Sequence, residues 1–282
     1  MRWKKDYVKE AAASRHIIAG FNVFGHEDAG AIIKAAEKLR VPVMLMVNRD
    51  ARKALDIECW GALLNSMADR ATVPVAVHLD HCSDPENVRR AMASGYTSVM
   101  FDGSKMPFHE NLRITAEIAK EAHQKGIFVE GELGNVPYSD LGQMDIRLTS
   151  PEEARIMQEQ TALDWLAVSV GNIHRLVGRK VHIQFDALRK IQKQCSLPLV
   201  IHGSSGIYDE DMQMLKNEHI GKINLGTSLR RVFGETMRSE MLAKPDEFDR
   251  QKLMQQSIEN VEQATYQILS SLLSEKQKGV SR

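Results

Sequence analysis

Cysteine is scarce in this chain of 282 residues: there are three, Cys59, Cys82 and Cys195, scattered and without CxxC spacing. That excludes a disulfide framework and reads as reduced thiols in a cytoplasmic protein. Cys82 directly follows His81, and a small side chain packed at a strand end explains it without chemistry. Long apolar runs are missing too. None approaches the roughly 18–20 residues a spanning helix needs, and Lys4, Lys5, Asp6, Lys9 and Glu10 interrupt the start, so neither a membrane span nor a secretory leader is expected. Charge of one sign is absent: 37 Lys+Arg balance 37 Asp+Glu, which leaves no field favouring nucleic acid or an anionic membrane. Low-complexity segments and sequence repeats are absent, and so is a GxGxxG turn, which an open dinucleotide-binding sheet would need.

What is present is a repeating pattern of apolar strand, turn and helical stretch. The strands expected are Ile17–Phe24, Val41–Val47, Val73–Asp80, Ser98–Asp102, Ile127–Leu133, Trp165–Gly171, Leu197–His202 and Lys222–Gly226. Helical periodicity marks Ala29–Leu39, Pro85–Ala93, Glu110–Gln124, Pro151–Glu159, Phe185–Gln194 and Asp209–Asn217. Ser83 and Asp84 can cap the second of these, and Thr149-Ser150-Pro151 is a start signal for the fourth. Alternating strands and helices imply parallel strands with crossover helices. Eight units fit a (β/α)8 TIM barrel with extra C-terminal helices: one domain, the barrel spanning about 15–240 and a helical extension about 241–282. In that extension Leu253, Ile258, Val261, Ile268, Leu269 and Leu272 give one apolar face, to be packed on the barrel or on a second subunit. Glu275–Arg282 reads as solvated.

Alternation along the strands sorts side chains between lumen and helices. Val75, Val77 and Leu79 should meet helices, leaving Ala76, His78 and Asp80 inside. The same rule turns Asn22, Asp102, Glu130, Glu132, His202, Lys222 and Asn224 inward, with Lys222 and Glu130 placed to form an internal salt bridge. So many ionisable groups are unusual in a lumen otherwise filled by branched apolar residues, and several stand at strand C-termini, where this fold keeps its active sites.

His81, His174 and His202 lie at or just past the ends of strands three, six and seven. Three neutral imidazoles suit Zn2+ with one position open, the coordination of a catalytic site. Such an ion would polarise a substrate oxygen, and Asp80, one residue before His81, could exchange a proton with that substrate. Two loops suit phosphate: Gly203-Ser204-Ser205-Gly206 after strand seven, and Asn224-Leu225-Gly226-Thr227 leading from strand eight into a helix.

These residues resemble the class II (metal-dependent) fructose- and tagatose-bisphosphate aldolase family. FNV at 21–23, HLDHC at 78–82, SVMFDGS at 98–104, VEGELG at 129–134, SVGNIH at 169–174, IHGSSG at 201–206 and KINLGT at 222–227 agree with it in order and spacing. The resemblance implies a lyase with one Zn2+ per subunit on His81, His174 and His202, and Asp80 as proton donor and acceptor. It also implies donor phosphate on Gly203, Ser204, Ser205 and Asn224 through Thr227, with Asn22 in the substrate site, and Asp102 and Glu132 near the metal, able to hold a second cation. The implied reaction breaks the C3–C4 bond of a ketose phosphate to give dihydroxyacetone phosphate and an aldehyde. A small phosphorylated sugar is the expected partner, in a homodimer or homotetramer.

Three departures fall on the substrate side. Arg175 stands where the family has Gly beside phosphate and a monovalent cation. The segment Asn135–Leu148 is short and lacks the family's GG-x-E-D run, leaving Tyr138, Asp140 and Asp145 as replacements for its acid/base. Val47-Asn48-Arg49-Asp50 replaces a smaller Ser/Gly-rich turn, so Arg49 and Arg175 are candidates for specificity toward an unusual substrate. Two other readings stay open: a metal-dependent hydrolase on the same fold, though FNVFGH at 21–26 lacks the HxH pair that class brings, and a non-catalytic barrel that binds a sugar phosphate.

Overall fold

The structure, a computed structural model, describes residues 1–141 and 146–273. The apolar segments form eight parallel strands: β1 (Ile18–Asn22), β2 (Val43–Val47), β3 (Val75–Cys82), β4 (Ser98–Phe101), β5 (Phe128–Leu133), β6 (Trp165–Val168), β7 (Leu199–Ile201) and β8 (Ile220–Leu225). They close in sequence order, with β8 hydrogen-bonded to β1, as the expected (β/α)8 barrel. The helices are α1 (Tyr7–Ser14), α2 (His26–Leu39), α3 (Ala51–Ala54), α4 (Ile57–Arg70), α5 (Pro85–Ala93), α6 (Phe108–His123), α7 (Pro151–Gln160), α8 (Phe185–Gln192), α9 (Asp209–Leu215), α10 (Thr227–Ala243) and α11 (Arg250–Leu272). No helix among the described residues is long and apolar enough to cross a membrane.

Helix starts follow local chemistry. Asp84 accepts from the Glu86 N–H and Ser150 from the Glu153 N–H, each with Pro in the first turn. The helices that the periodicity reading leaves out are α1, α3 and α4, although in α4 Ile57, Trp60, Leu64 and Ala68 bury one face at helical spacing. In α11 the buried face is Met254, Ser257, Val261, Thr265, Leu269 and Leu272, packed against α2 and α10, so this helix covers the barrel of its own chain.

Two apolar layers result. Outside the strands, Val75, Val77, Leu79, Val99 and Phe101 pack against the helices. Inside, Ile18, Met44, Met46, Ala76, Met100, Trp165, Ala167 and Val200 fill the lumen together with Trp3, Val8 and Ala11 from the N-terminus. The Trp165 indole N–H donates to Asp6 Oδ1 at 2.9 Å, and Asp6 also caps α1. Residues before 15 therefore seal the lower end of the barrel. The expected break near residue 240 falls inside α10, whose helical hydrogen bonding carries it to Ala243.

Above the apolar layer the lumen turns polar. The Lys222 ammonium donates to Glu130 Oε2 at 2.6 Å, and His202 Nε2 lies 2.8 Å from Glu130 Oε1, all three side chains fully buried. Gly20 makes room for this: a Cβ there would stand 2.6 Å from Met46 Sδ and 3.3 Å from Lys222 Cε. Breaking a buried pair by removing one partner strands the other's charge. Lys222→Met should therefore lower unfolding free energy in denaturant titration by about 3–5 kcal/mol. A loss under about 1 kcal/mol, the scale of an exposed pair, would show that the lumen is wetter than its burial indicates.

Candidate active site

The site lies at the strand C-termini. Strict alternation in β3 sends Leu79 out, Asp80 in and His81 out again. The structure departs from this: the β3–β4 register shifts between Leu79 and Cys82, and His81 adopts φ 47°, in the left-handed region. That bulge brings Asp80 and His81 to the same side. Arg52 of α3 pins it, donating from Nη2 to the His81 carbonyl at 2.9 Å and from Nη1 to Cys82 Sγ at 3.3 Å. Trp60 in turn ties α3 to α4 through the Ala51 carbonyl.

The expected histidines converge. One nitrogen from each of His81, His174 and His202 lies within 4.8 Å of the others. His174 follows a turn held by Asn172, which accepts from the Val170 N–H and donates to the carbonyls of Val168 and His202. Gly203, at φ 63°, lets the chain leaving β7 pass against this turn, since a Cβ would stand 2.5 Å from the Ile173 carbonyl. Carboxylates then anchor the rings. His81 Nδ1 lies 2.9 Å from Asp102 Oδ2, and His202 Nε2 faces Glu130. His81 Nε2 and His202 Nδ1 face each other across 2.9 Å; burial lowers the His81 ring, but Tyr138, Asp80, the Asp102 bond and Glu132 outweigh it and raise it well above the usual imidazole range, so His81 Nε2–H donates to the His202 Nδ1 lone pair. His174 Nε2 is buried without a partner. Two nitrogens holding one proton between them and an orphaned third nitrogen fit a cation that would displace that proton and be shared among the three rings. Burial holds His174 and His202 well below the usual imidazole range, in the neutral form a ligand needs.

Asp80 Oδ2 accepts from Asn22 Nδ2 at 2.8 Å and Oδ1 from Asn224 Nδ2 at 3.0 Å. Burial pushes its carboxyl up, but the charges of His81 and Lys222 and the Asn22 bond outweigh burial and lower it, so it is ionised. Behind His81 lie Asp102, held by Ser104 Oγ at 2.6 Å, and Glu132, 3.6 Å from His81 Nδ1. Burial first, then the Asp102 charge, raise Glu132 well above the usual carboxylate range, and its Oε2 has no partner.

The pocket is lined by Asn22, Asp80, His81, His174, Arg175, Gly203, Ser204, Ser205, Asn224, Gly226 and Thr227, together with Phe24, Asn48, Tyr138 and Arg230. The Leu225 side chain packs in the outer apolar layer, as alternation along β8 requires, so only its backbone belongs to the 224–227 loop at the pocket. Arg49 is half-exposed at the rim, 6.0 Å over the Tyr138 ring, and does not line the pocket either. Tyr138 stacks on His174 with ring centroids 4.4 Å apart, and burial raises its phenol. Asp140 is taken up by Arg175, and Asp145 lies outside the described residues. The sequence reading missed Phe24, Asn48, Arg52 and Arg230. Arg230 had a signal, one helical turn beyond Thr227; Arg52 had none, because its partners are backbone and sulfur.

A closed parallel barrel with three convergent imidazoles and a fixed carboxylate at its C-terminal rim defines a metal-assisted lyase or hydrolase class. Comparison narrows it. The family model for fructose-bisphosphate aldolase class-II matches residues 4–277, and the chain belongs to that family of lyases. It is 34% identical over 248 residues to a sulfofructosephosphate aldolase of Alkalicoccus urumqiensis, covering 86% of each chain. It is 34% identical to a fructose-bisphosphate aldolase of Thermus caldophilus, covering 88% of this chain and 90% of that one. The crystal structure of the YdjI aldolase from Escherichia coli K12 superposes with a TM-score of 0.83 at 30% identity, over 95% of this chain and 96% of that one.

Arg52→Ala leaves the His81 carbonyl without its guanidinium donor. Its cost, read by thermal unfolding, is expected at about 1–3 kcal/mol, and an unchanged midpoint would show that the bulge holds without Arg52.

Proposed function

We propose that this chain is a divalent-metal-dependent aldolase that cleaves and forms the C3–C4 bond of a ketose phosphate, yielding dihydroxyacetone phosphate and an aldehyde. The observation that carries the reading is Asp80: a buried, ionised carboxylate held by two amides beside three imidazoles whose nitrogens converge. His81, His174 and His202 would hold the ion, and Zn2+ suits them best, although Co2+, Fe2+ and Mn2+ take the same donors. When bound, the ion supplies Lewis acidity that stabilises the negative charge left as the carbon–carbon bond breaks.

The chain's own groups do the rest. Asp80 takes the C4 hydroxyl proton in cleavage and returns it in condensation, and the amides of Asn22 and Asn224 keep it ionised and aimed. The donor phosphate rests on Gly203, Ser204 and Ser205 and on the first N–H groups of α10, with Gly226 and Thr227 at its start. Asp102 and Glu132 orient His81, and they are also where a second cation could lie. Tyr138, which lines the pocket and stacks on His174, would exchange a proton at the donor carbon in place of the family's glutamate. Relatives are named for fructose bisphosphate and for sulfofructose phosphate, so family membership leaves the acceptor end open. Self-association as a homodimer or homotetramer would cover Met241, Leu242 and Phe248, exposed by 54%, 77% and 94% around the end of α10. Light scattering checks this, and a monomer at assay concentration refutes it.

Asp80→Ala should lower retro-aldol kcat by at least about 100-fold while metal content, measured by elemental analysis, stays at the wild-type level. A non-catalytic sugar-phosphate binder would show no turnover to lose. Chelation followed by re-addition of Zn2+ should abolish and restore activity, and full activity after exhaustive chelation would sink the metal-dependent reading.

A further inference from the structure

Arg175 sits at φ 55°, a left-handed backbone that a non-glycine residue adopts only when its surroundings hold it there. Those surroundings include Pro137–Asp140, a short segment after β5. The His174 N–H donates to the Pro137 carbonyl at 2.9 Å and the Ser139 N–H to the His174 carbonyl at 3.1 Å, which pairs Tyr138 with His174 as a parallel bridge. Ser139 Oγ adds a bond to the Arg175 carbonyl at 2.7 Å. The Arg175 side chain then ties the same segment to a third part of the chain. Its guanidinium donates from Nη1 to Asp140 at 2.7 Å and from Nη2 to Asp50 at 2.5 Å, in the turn after β2.

That turn is a firm anchor. Asn48 caps it by accepting from the Asp50 and Ala51 N–H groups, and Arg230 Nη1 and Lys53 Nζ, each 3.7 Å from Asp50, bear on the same carboxylate. Between the two ion pairs lies Tyr138, with the guanidinium 5.2 Å from its ring centroid. A backbone bridge fixes where Tyr138 sits in the chain but leaves its side-chain torsions free. The ring is nevertheless placed: it stacks on His174 with centroids 4.4 Å and planes 15° apart. Both ion pairs are partly exposed, so they add little to global stability. A small preference is enough to choose among conformations of a four-residue segment.

We propose that Arg175 is a positioning residue: its guanidinium latches Pro137–Asp140 to the turn after β2 and so holds the Tyr138 ring against His174, where the phenol acts on the donor carbon. This rests on the reading of Tyr138 as the acid/base of an aldolase. In cleavage the phenol O–H gives its proton to the donor carbon, and in condensation the phenolate takes one back from it.

The donor half-reaction isolates that step. Metal-loaded enzyme is given dihydroxyacetone phosphate in D2O without aldehyde, and deuterium entry at the donor carbon is followed by NMR. The wild type should exchange, and Tyr138→Phe should lose at least about 100-fold. Arg175→Gly takes the left-handed backbone without strain, so the fold is kept and only the latch is lost. It should lower the rate at saturating dihydroxyacetone phosphate by at least about threefold, with the half-saturating concentration changed by less than about threefold. Its metal content should stay at the wild-type level, and hydrogen exchange over Val136–Asp140 should quicken. Asp140→Ala cuts the latch from the other side while the guanidinium stays in the pocket, and should lower the saturated rate in the same direction. A guanidinium that instead held the substrate's phosphate directly would, in Arg175→Gly, raise the half-saturating concentration by about tenfold or more at a retained saturated rate, and Asp140→Ala would cost nothing. Either of those results, loss of metal from Arg175→Gly, or a saturated rate lowered by less than about threefold overturns the inference and leaves the aldolase reading standing. Full exchange by Tyr138→Phe removes Tyr138 as the acid/base, and the inference with it. No exchange by the wild type sinks the aldolase reading itself.

Discussion

The organisation of the site depends on one buried carboxylate. Glu130 stands in the lumen with no access to water, and an ionised carboxylate there survives only if its oxygens are answered. Lys222 answers one and His202 the other. The second contact fixes which nitrogen of His202 carries the proton, and so leaves Nδ1 as a lone pair facing His81. Asp102 holds the Nδ1 proton of His81 from the opposite side and is itself held by Ser104. The ligand geometry is therefore set from below and behind, by groups that never reach the pocket. No member of the series can be exchanged alone without leaving a buried charge or lone pair unmatched.

The fold was legible because the strand periods and helix faces are strong, repeated eight times, and closed by a rule about parallel strands. Alternation also named the polar lumen, including the Lys222–Glu130 pair, since a period of two leaves little freedom in where a residue points. It failed where the chain breaks the period. His81 is delivered by a bulge that no propensity announces, and it was found through its neighbours and the family pattern. α4 carried a readable stripe but follows a short α3 that blurs its start. Arg52 and Asn172, which tie loops to carbonyls, have partners distant in sequence and chemically bland, so nothing local marks them.

The two sides of the pocket are built differently, and that difference bears on how members of one family can act on different molecules. On the histidine side the polar groups are mostly buried and, apart from His174 Nε2 and Glu132 Oε2, are hydrogen-bonded to one another, so change there is cooperative and costly. Opposite, the pocket wall comes from turns: Asn48–Asp50 after β2, Pro137–Asp140 after β5, and Arg175 beyond β6. Asn48 caps its own turn, accepting from the Asp50 and Ala51 N–H groups, and Asp50, Asp140 and Arg175 answer one another with partial access to water. Such a set can be rewritten in a few residues while the strands stay fixed, because a half-exposed ion pair contributes little to stability. The groups around the three histidines thus cannot be changed independently, and the ion-paired groups of the turns can.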